Sequence, residues 1–460
     1  MDSSISDEVV NFILSEKTMP QDVKSKALDH IVDGVAVMLA GSRTECARKV
    51  AGFVKGKGGN PQSTVIGLGF KAPTPDAAMI NGTSGHADDY DDTQLSTAPD
   101  RLYGLMTHPT VPVLAAALAV GEERDSTGKE VFEAFVAGFE VECKLAETIK
   151  PAHYWKGFHT TATIGTFGAY AAVGTLFGLN ESELRASLGI AASLSSGIRA
   201  NFGTMTKPLH AGMAASNGVT ACLLGKEGFT ANMSALDGRW GFMEITAGGA
   251  EPELMLGKMG KPYAIVDPGA TFKMYPCGSL GQPSMDTLRE IVIEEDLHEE
   301  DVREIRLRAG PNILEPLRYT DPMNDLQAKF SLQFGLASIL LRRMAGPREY
   351  SMEWLMDPAM QSTMRKVKTI HDEGIAAMGV EKMRSIVEVE LTDGRIIRRD
   401  ASDARGTPEK PLKPHELEEK FMECAGFVYN EEISKEAFAL IRRLDKLSDV
   451  SELTDLLRNE

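Results

Sequence analysis

Three basic residues stand at predicted helix entrances, each before a run rich in small residues. They are His108 in THP, His159 in GFHT and Lys207 in TKP. Proline is tolerated in the first turn of a helix and disfavours helical backbone at the preceding residue, so His108 and Lys207 should lie where helices begin. Thr160 or Thr161 can cap the helix that follows His159. Because helix N-termini attract anions, three cations at converging helix ends would hold a small molecule carrying several carboxylates.

The segment NGTSGHADDYDDT, residues 81–93, places four aspartates within five positions: Asp88, Asp89, Asp91 and Asp92. Such crowding is costly unless cations or hydrogen-bond donors relieve it. Three interpretations stay open. Asp88, Asp89 and Asp92 fit the DDxxD arrangement of Mg²⁺-dependent terpenoid enzymes, although no second acidic metal motif accompanies it. Alternatively, some of the aspartates orient nearby His and Lys side chains, or the segment is a solvated acidic loop.

Two residues could move protons. Lys207 stands three positions before His210 in NFGTMTKPLHAG, so both side chains should point in similar directions from one helix start. The positive helix end should lower the pKa of Lys207 and favour an amine able to take a proton. Tyr154, in HYWKGFH, becomes a useful base only where cations lower its pKa, and His159 and a helix end are placed to do so. Cys277, in KMYPCG, is expected to be a structural thiol, because no signal lowers its pKa.

Composition limits the class of protein. The chain has 460 residues, more than one core usually supports, so two or three domains are expected. A formal net charge of −17 argues against nucleic acid and anionic membranes as partners. Five scattered cysteines and an acidic N-terminus unlike a signal peptide predict a cytoplasmic protein. The charge-free stretch 160–179 is long enough to span a membrane, but its many Thr and Gly residues predict a buried helix.

The elements that must position these residues are mostly helices. Many of the predicted helices are dense in small residues and should pack with their backbones close together. The sequence predicts helices at 23–39, 76–86, 109–123, 128–148, 160–177, 181–192, 208–226 and 235–246.

The pattern of apolar and polar residues changes beyond residue 258. Alternating apolar and polar residues predict a strand at 302–309, and 386–398 predicts a hairpin about the Asp393-Gly394 turn. Further helices are predicted at 325–344, at 358–369 and between 415 and 458. We therefore predict a mostly α fold with a discontinuous helical domain, 1–267 plus 404–460, and an inserted α+β lid domain, 268–403.

Together these segments resemble the MmgE/PrpD family, which includes 2-methylcitrate dehydratases, cis-aconitate decarboxylases and iminodisuccinate epimerase. The resemblance implies a large helical domain with an α+β lid, an active site between them, a homodimer, and neither metal nor organic cofactor. The matching segments run in family order along nearly the whole chain: NGTSGHADDYDDT, THPTVPVLAAALAVGE, HYWKGFHTTATIGTFGA, GIAASLSSGIRANFGTMTKPLHAGMAASNG, FKMYPCG and AKFSLQF.

The resemblance also implies roles for particular residues. Those expected to be catalytic are Lys207, Tyr154, His108 and His159. Those expected to bind substrate are Asp89, Thr93, His210 and Tyr275. Many family members carry a histidine about five residues after YPC, where this chain has Gln282. That departure disfavours an acid or base supplied by the lid, and with it decarboxylation, while the insertion-like segment 95–106 could reshape the pocket.

We therefore expect a cofactor-independent lyase that abstracts a proton next to a carboxylate of a small di- or tricarboxylate, in the manner of 2-methylcitrate dehydratase. Lys207 is the residue expected to transfer the proton. The alternatives are an epimerase with Tyr154 and Lys207 on opposite faces of the substrate, and a decarboxylase of the cis-aconitate type. A Mg²⁺-dependent terpenoid enzyme and a non-catalytic carboxylate-binding protein are kept as other classes.

Overall fold

A computed structural model describes residues 4–16, 19–94, 106–379 and 383–458, and these residues form a mostly α-helical protein. The described residues up to 247 form the helices α1 (Ile5–Leu14), α2 (Gln21–Ser42), α3 (Glu45–Lys57), α4 (Thr74–His86), α5 (Thr110–Glu123), α6 (Gly128–Thr148), α7 (Ala152–Trp155), α8 (Thr160–Phe177), α9 (Glu181–Leu194), α10 (Thr206–Lys226) and α11 (Phe242–Ala247). The later helices are α12 (Gln282–Glu294), α13 (Pro311–Leu314), α14 (Asp325–Ala328), α15 (Leu332–Arg342), α16 (Met352–Leu355), α17 (Pro358–Met364), α18 (Glu373–Ala376), α19 (Pro414–Ala425), α20 (Glu431–Ile441) and α21 (Ser451–Arg458).

Strands are short and form three small sheets in the described residues. Two of these sheets are antiparallel pairs, β1 with β2 and β3 with β4, while the third has the order β6-β5-β7-β8, in which only the β5-β6 pair is parallel. The strands are β1 (Ser63–Val65), β2 (Phe70–Ala72), β3 (Thr93–Gln94), β4 (Ala270–Thr271), β5 (Val302–Ala309), β6 (Val367–His371), β7 (Ser385–Leu391) and β8 (Ile396–Ala401).

Most predicted elements are confirmed, and α6, α8 and β5 have the predicted bounds. Three predictions are wrong in part. The helix predicted at 235–246 is limited to α11, because turns precede it and Gly238 has a φ of 78°. The helix at 325–344 is broken, because the Ser331 side chain caps a new helix, α15, by accepting from the Phe334 amide. Residues 367–369 belong to β6, which pairs with β5, rather than to a helix.

The basic residues do lie at helix entrances, but the capping differs from the prediction. His159 itself occupies the N-cap of α8, with no side-chain cap bond, and Pro109 occupies that of α5. Thr161 does not cap α8; its hydroxyl accepts a hydrogen bond from the His108 amide at 3.1 Å. The two helix entrances are thereby tied together, and His108 and His159 are brought to the same place.

Helices α4 and α10 cross with their backbones in contact. A Cβ on Gly212 would lie 2.2 Å from the Met79 carbonyl oxygen, and a Cβ on Gly82 would lie 2.8 Å from the Gly212 Cα. Only residues without a side chain permit this approach. Because α4 ends at His86 and Lys207 lies in the first turn of α10, the crossing places these two side chains side by side.

The helix α19 returns to pack against α2 and buries a lysine at the contact. The Lys420 ammonium lies 2.6 Å from Asp33 of α2 and donates to the carbonyls of Tyr90 and Lys273. The late helices therefore support the segment that follows α4. The division into domains at 1–267 plus 404–460 and 268–403 stays a prediction.

No helix of the described ranges is both long enough and apolar enough to cross a bilayer. The charge-free helix α8 is instead packed against α5, α6 and α10, and nearly all of its residues are buried. The prediction of a buried helix at 160–177 is thus confirmed.

The α4-α10 crossing is expected to be intolerant of a single methyl group. We expect Gly212→Ala to lower the free energy of unfolding by about 1–3 kcal/mol, as is typical of overpacking. The control is Gly52→Ala in the exposed helix α3, where a Cβ would meet no described atom within 4 Å and should stabilise the helix by about 0.5–1 kcal/mol. Urea unfolding followed by circular dichroism measures both. A Gly212→Ala protein as stable as the parent would contradict this packing.

Candidate active site

The acidic segment that follows α4 is buried rather than solvated. The residues Asp88, Asp89, Asp91 and Asp92 are at most 4% exposed, and Asp89 has a left-handed φ of 51°. Burying four carboxylates is unfavourable unless each has a cation or a donor beside it. The interpretation of this segment as a solvated loop is therefore wrong.

Each of these aspartates has its own partners. Asp88 binds Lys329 at 2.9 Å and Arg43 at 3.1 Å. Asp92 lies 2.9 Å from His30 Nδ1 and accepts from the Thr110 hydroxyl at 2.7 Å.

Because its carboxylates are divided among separate partners, the DDxxD triplet forms no shared Mg²⁺ site in the described residues. The remaining two aspartates face the helix entrances instead. Asp89 Oδ1 lies 2.5 Å from Lys273 Nζ and 3.1 Å from Lys207 Nζ. This geometry supports the other interpretation, in which aspartates orient His and Lys side chains.

Lys207 lies between an aspartate and a histidine. Its Nζ is 2.8 Å from His86 Nε2, while His86 Nδ1 lies 2.8 and 2.9 Å from the two carboxylate oxygens of Asp91. Burial lowers the pKa of Lys207, and the Lys273 charge adds to this effect while Asp89 opposes it. The predicted direction is therefore confirmed, but the cause is burial rather than the helix end. A lysine with a lowered pKa releases its proton more readily than an exposed lysine does.

His108 and His159 are neutral imidazoles rather than cations. Burial lowers the pKa of both rings well below the usual histidine range, and nearby Lys207 lowers it further. His108 Nδ1 lies 2.6 Å from the Asp92 carbonyl oxygen, so this nitrogen carries the proton and Nε2 carries the lone pair. The prediction of three cationic helix ends is thus wrong for the two histidines. The cations of this site are Lys207 and Lys273.

Tyr154 lines one small cavity together with His108, His159 and Lys207. The Arg199 guanidinium lies 3.7 Å from the centroid of its ring. Burial nevertheless raises the pKa of Tyr154 above its ordinary value, and Arg199 opposes this only in part. The prediction that neighbouring cations lower this pKa is therefore wrong. Tyr154 is suited to donate a hydrogen bond rather than to act as a phenolate base.

These side chains surround a small cavity of about 30 Å³. On the helical side it is lined by Asp89, Met106, His108, Tyr154, His159, Phe202 and Lys207, and on the opposite side by Gly278, Ser279, Leu280, Pro316, Leu317 and Phe330. Such a volume holds about one water molecule. The described lining residues therefore leave little room between them.

Three predicted substrate-binding residues do not line this cavity in the described part of the chain. Thr93 donates or accepts a 2.5 Å hydrogen bond with the hydroxyl of Ser279, which does line it. His210 lies behind His159, with their Nδ1 atoms 3.0 Å apart. Tyr275 donates to Asp286 at 2.9 Å. Their geometry suits support of the lining residues, and direct substrate contact stays a prediction.

Gln282, at the position where many family members carry a histidine, hydrogen-bonds to the backbone of its own loop. Its Oε1 accepts from the amides of Met274 and Tyr275, and its Nε2 donates to the Tyr275 carbonyl at 2.7 Å. The amide is 2% exposed and holds the loop that carries Lys273. It is a brace for the loop rather than an acid or base.

Residues 9–255 match the MmgE/PrpD N-terminal domain, and residues 275–446 match the MmgE/PrpD C-terminal domain. The chain belongs to the MmgE/PrpD family. As an MmgE/PrpD enzyme it is a lyase or a related isomerase.

Several relatives of this MmgE/PrpD chain share a name. It is 27% identical over 440 residues to cis-aconitate decarboxylase of Homo sapiens, covering 93% of this chain and 89% of the relative. This chain is 27% identical over 443 residues to cis-aconitate decarboxylase of Mus musculus, covering 93% of this chain and 88% of the relative. Over 484 residues it is 26% identical to cis-aconitate decarboxylase of Aspergillus terreus, covering 99% and 96%.

Sequence reasoning missed three residues of this MmgE/PrpD site. They are His86, Lys273 and Lys329, which contact Lys207, Asp89 and Asp88, respectively. All three stand inside segments that carry the family resemblance, NGTSGHADDYDDT, FKMYPCG and AKFSLQF. A search for the cations needed to offset four clustered aspartates could have found them.

The neutral state of His108 and His159, which line the cavity, can be measured directly. At about pH 6, His108 and His159 should keep neutral ring ¹⁵N shifts in the folded MmgE/PrpD enzyme, whereas histidines of the urea-unfolded chain protonate near about pH 6.5. Spectra of His108→Gln and His159→Gln assign the signals. Because the unfolded chain then binds protons that the folded chain rejects, stability should also fall below about pH 6.5. Imidazolium shifts for both rings at pH 6 would contradict the assignment.

Proposed function

We propose that this enzyme decarboxylates a small unsaturated tricarboxylate of the cis-aconitate type without a cofactor. The observation that carries the proposal is the buried Lys207 ammonium at the cavity, held between Asp89 and His86. The curated relatives named cis-aconitate decarboxylase, each aligned over most of both chains, support this reaction over dehydration.

The reaction needs one proton and one place for negative charge. In cis-aconitate, the bond between the methylene carbon and its carboxylate breaks and releases CO₂. That electron pair forms a new double bond to the methylene carbon, while the electrons of the old double bond take a proton at the carbon next to another carboxylate. The products are CO₂ and the methylene-bearing dicarboxylate itaconate, so an acid must deliver one proton to carbon.

Lys207 is proposed as that acid. Its lowered pKa makes the ammonium release its proton more readily than an exposed lysine would. His86 Nε2, at 2.8 Å, accepts from the ammonium and directs it, while Asp91 fixes the orientation of the imidazole. Since a general acid must be protonated, the rate should fall as the pH rises through the lowered pKa of Lys207.

The substrate carboxylates are proposed to bind at the lysines and histidines around the cavity. Lys273 supplies a second positive charge, and His108 and His159 present ring nitrogens close by. An entering polyanion favours the protonated forms of these imidazoles, which would then donate to carboxylate oxygens. The charge that develops as CO₂ departs is stabilised by the same groups.

Two features bear on the alternative reactions. A two-base epimerase needs Tyr154 as a phenolate, and burial raises the pKa of Tyr154, which opposes that state. The absence of the family histidine at Gln282 is less serious than the sequence indicates, because Lys207 can supply the acid from the helical side. Dehydration of the 2-methylcitrate type stays the second candidate and is separated by product analysis.

Incubation in D₂O with cis-aconitate, 2-methylcitrate, citrate and iminodisuccinate, followed by proton NMR, tests the proposal. Decarboxylation should place a single deuterium on the saturated methylene of the product. Lys207→Met should slow it by about 10²–10⁴-fold, the usual contribution of a general acid. Lys226→Met, at the exposed far end of the same helix, should leave the rate unchanged.

Other products would redirect the assignment. Unsaturation of 2-methylcitrate with release of water would replace decarboxylation by dehydration. Solvent deuterium in unconverted iminodisuccinate, with inversion at carbon, would favour the epimerase. Turnover of cis-aconitate that is unaffected by Lys207→Met would remove Lys207 as the acid.

We also infer that two copies of this chain pair through the surface around α11. An open groove of about 880 Å³ lies between the end of α9 and residues 229–246. Around it Trp240 is 82% exposed, Ile245 63% and Phe229 58%. Large adjoining apolar side chains on a surface are typical of protein interfaces, and the family resemblance implies a homodimer.

The five cysteines are free and buried, which fits the predicted reducing cytoplasm.

The pairing is tested by light scattering after size exclusion. Trp240→Glu should convert a dimer to a monomer at micromolar concentration, because a charge would be buried at the contact. Phe53→Glu is the matched control, since Phe53 is 65% exposed on α3, away from the groove. A monomeric parent protein, or a Trp240→Glu protein that stays dimeric, would refute this interface.

A further inference from the structure

Three buried histidines from separate segments meet at the Lys207 ammonium. His86, His108 and His159 each offer a ring nitrogen, and these atoms all lie within 4.8 Å of one another. The ring centroid of His86 lies 4.7 Å from that of His108 and 5.6 Å from that of His159. The spacing matches a group of imidazoles around one cation, with modest ring movements to close the ligand distances.

We propose that His86, His108 and His159, with Asp89, form an inhibitory site for zinc-like divalent cations, which replace the Lys207 ammonium. This proposal goes beyond the decarboxylation, since a cation at this point would occupy the position of the proton donor. The metal would block turnover rather than assist it.

The first support is the orientation of the rings. The Nδ1 of His86 faces the Asp91 carboxylate, and that of His108 faces the Asp92 carbonyl at 2.6 Å. Both acceptors take the ring proton, so Nε2 of each imidazole carries the lone pair. Histidines that bind metals almost always donate their other nitrogen to a carboxylate or a carbonyl in this way.

His159 completes the same pattern. Its Nδ1 lies 3.0 Å from Nδ1 of His210, and in the tautomer whose Nδ1–H donates to His210 the Nε2 of His159 carries the lone pair. The pKa values of all three rings are lowered by burial, so each is in the neutral form that binds metals. The histidines therefore need no change of protonation to act as ligands.

The second support is an unused carboxylate oxygen. Asp89 Oδ1 contacts Lys207 and Lys273, while the buried Asp89 Oδ2 has no hydrogen-bond partner among the described residues. Asp89 lines the same cavity as His108 and His159. Three imidazole nitrogens and one carboxylate oxygen are a donor set suited to tetrahedral Zn²⁺ or Co²⁺, and a poor one for Mg²⁺.

The Lys207 ammonium opposes metal binding at this site. Its ammonium lies 2.8 Å from His86 Nε2 and so holds the position that a metal would take. A divalent ion beside this charge is repelled, so removing the lysine should strengthen metal binding.

Cobalt titration of the full-length protein, followed by its visible absorption, tests the site without any turnover. The parent should bind one Co²⁺ per chain with tetrahedral bands, and Lys207→Met should bind it at least about 10-fold more tightly. His108→Gln should weaken binding by at least about 10-fold, because one ligand is lost. His371→Gln, at an exposed strand position, should bind as the parent does, and Mg²⁺ should not displace the cobalt.

Circular dichroism establishes that each variant is folded, and His159→Gln replaces His108→Gln if the latter is not. In a turnover assay Zn²⁺ should inhibit the parent, and EDTA should restore its rate. Cobalt affinity unchanged in the folded histidine variants would overturn the proposal, because the metal would then bind elsewhere. Weaker binding in Lys207→Met would overturn it as well, since the lysine would then be a ligand rather than a competitor.

Discussion

The whole site depends on neutralising one buried acidic segment. Residues 87–92 carry four aspartates into the interior, and the same short stretch exposes its backbone carbonyls to the surrounding side chains. Three lysines from distant parts of the chain donate to those carbonyls: Lys329 to Ala87, Lys273 to Asp89 and Lys420 to Tyr90. Removing one partner of such a buried pair commonly costs about 3–5 kcal/mol. The helices, the small sheets and the late helix α19 are therefore joined through one polar centre.

The reactive chemistry follows from how these charges are distributed. Asp88 and Asp92 are fully engaged by groups outside the cavity, whereas Asp89 is shared between Lys207 and Lys273 at its edge. The histidines are kept neutral by burial, so the positive charges beside Asp89 are those of Lys207 and Lys273. With little water to screen them, these buried charges and the neighbouring imidazole rings interact strongly with one another.

Sequence patterns predicted much of the fold and the neighbourhood of the site. The bounds of α6 and β5 follow from the Thr127 cap and from alternating apolar residues, and α8 ends at the left-handed Gly178, all of which are local properties. Sequence patterns also placed His108, His159 and Lys207 at helix starts, and the structure shows that these starts converge on one cavity. They could not predict protonation, because the lowered pKa of His108 and the raised pKa of Tyr154 come from burial that only the packed structure defines. Lys273 was missed for a similar reason, since its partner Asp89 lies 184 positions away.

The position of Lys420 in the chain has a consequence for how the enzyme is made. His86, His108, His159 and Lys207 all leave the ribosome long before α19, which carries the lysine that binds the Tyr90 carbonyl and Asp33. A nascent chain therefore holds every proposed reactive group while its acidic turn still lacks one of its counter-charges. The turn should stay hydrated until α19 docks onto α2. Catalytic competence would then arise late in synthesis. It would depend on the docking of α19 onto α2, although α19 carries none of the proposed reactive residues.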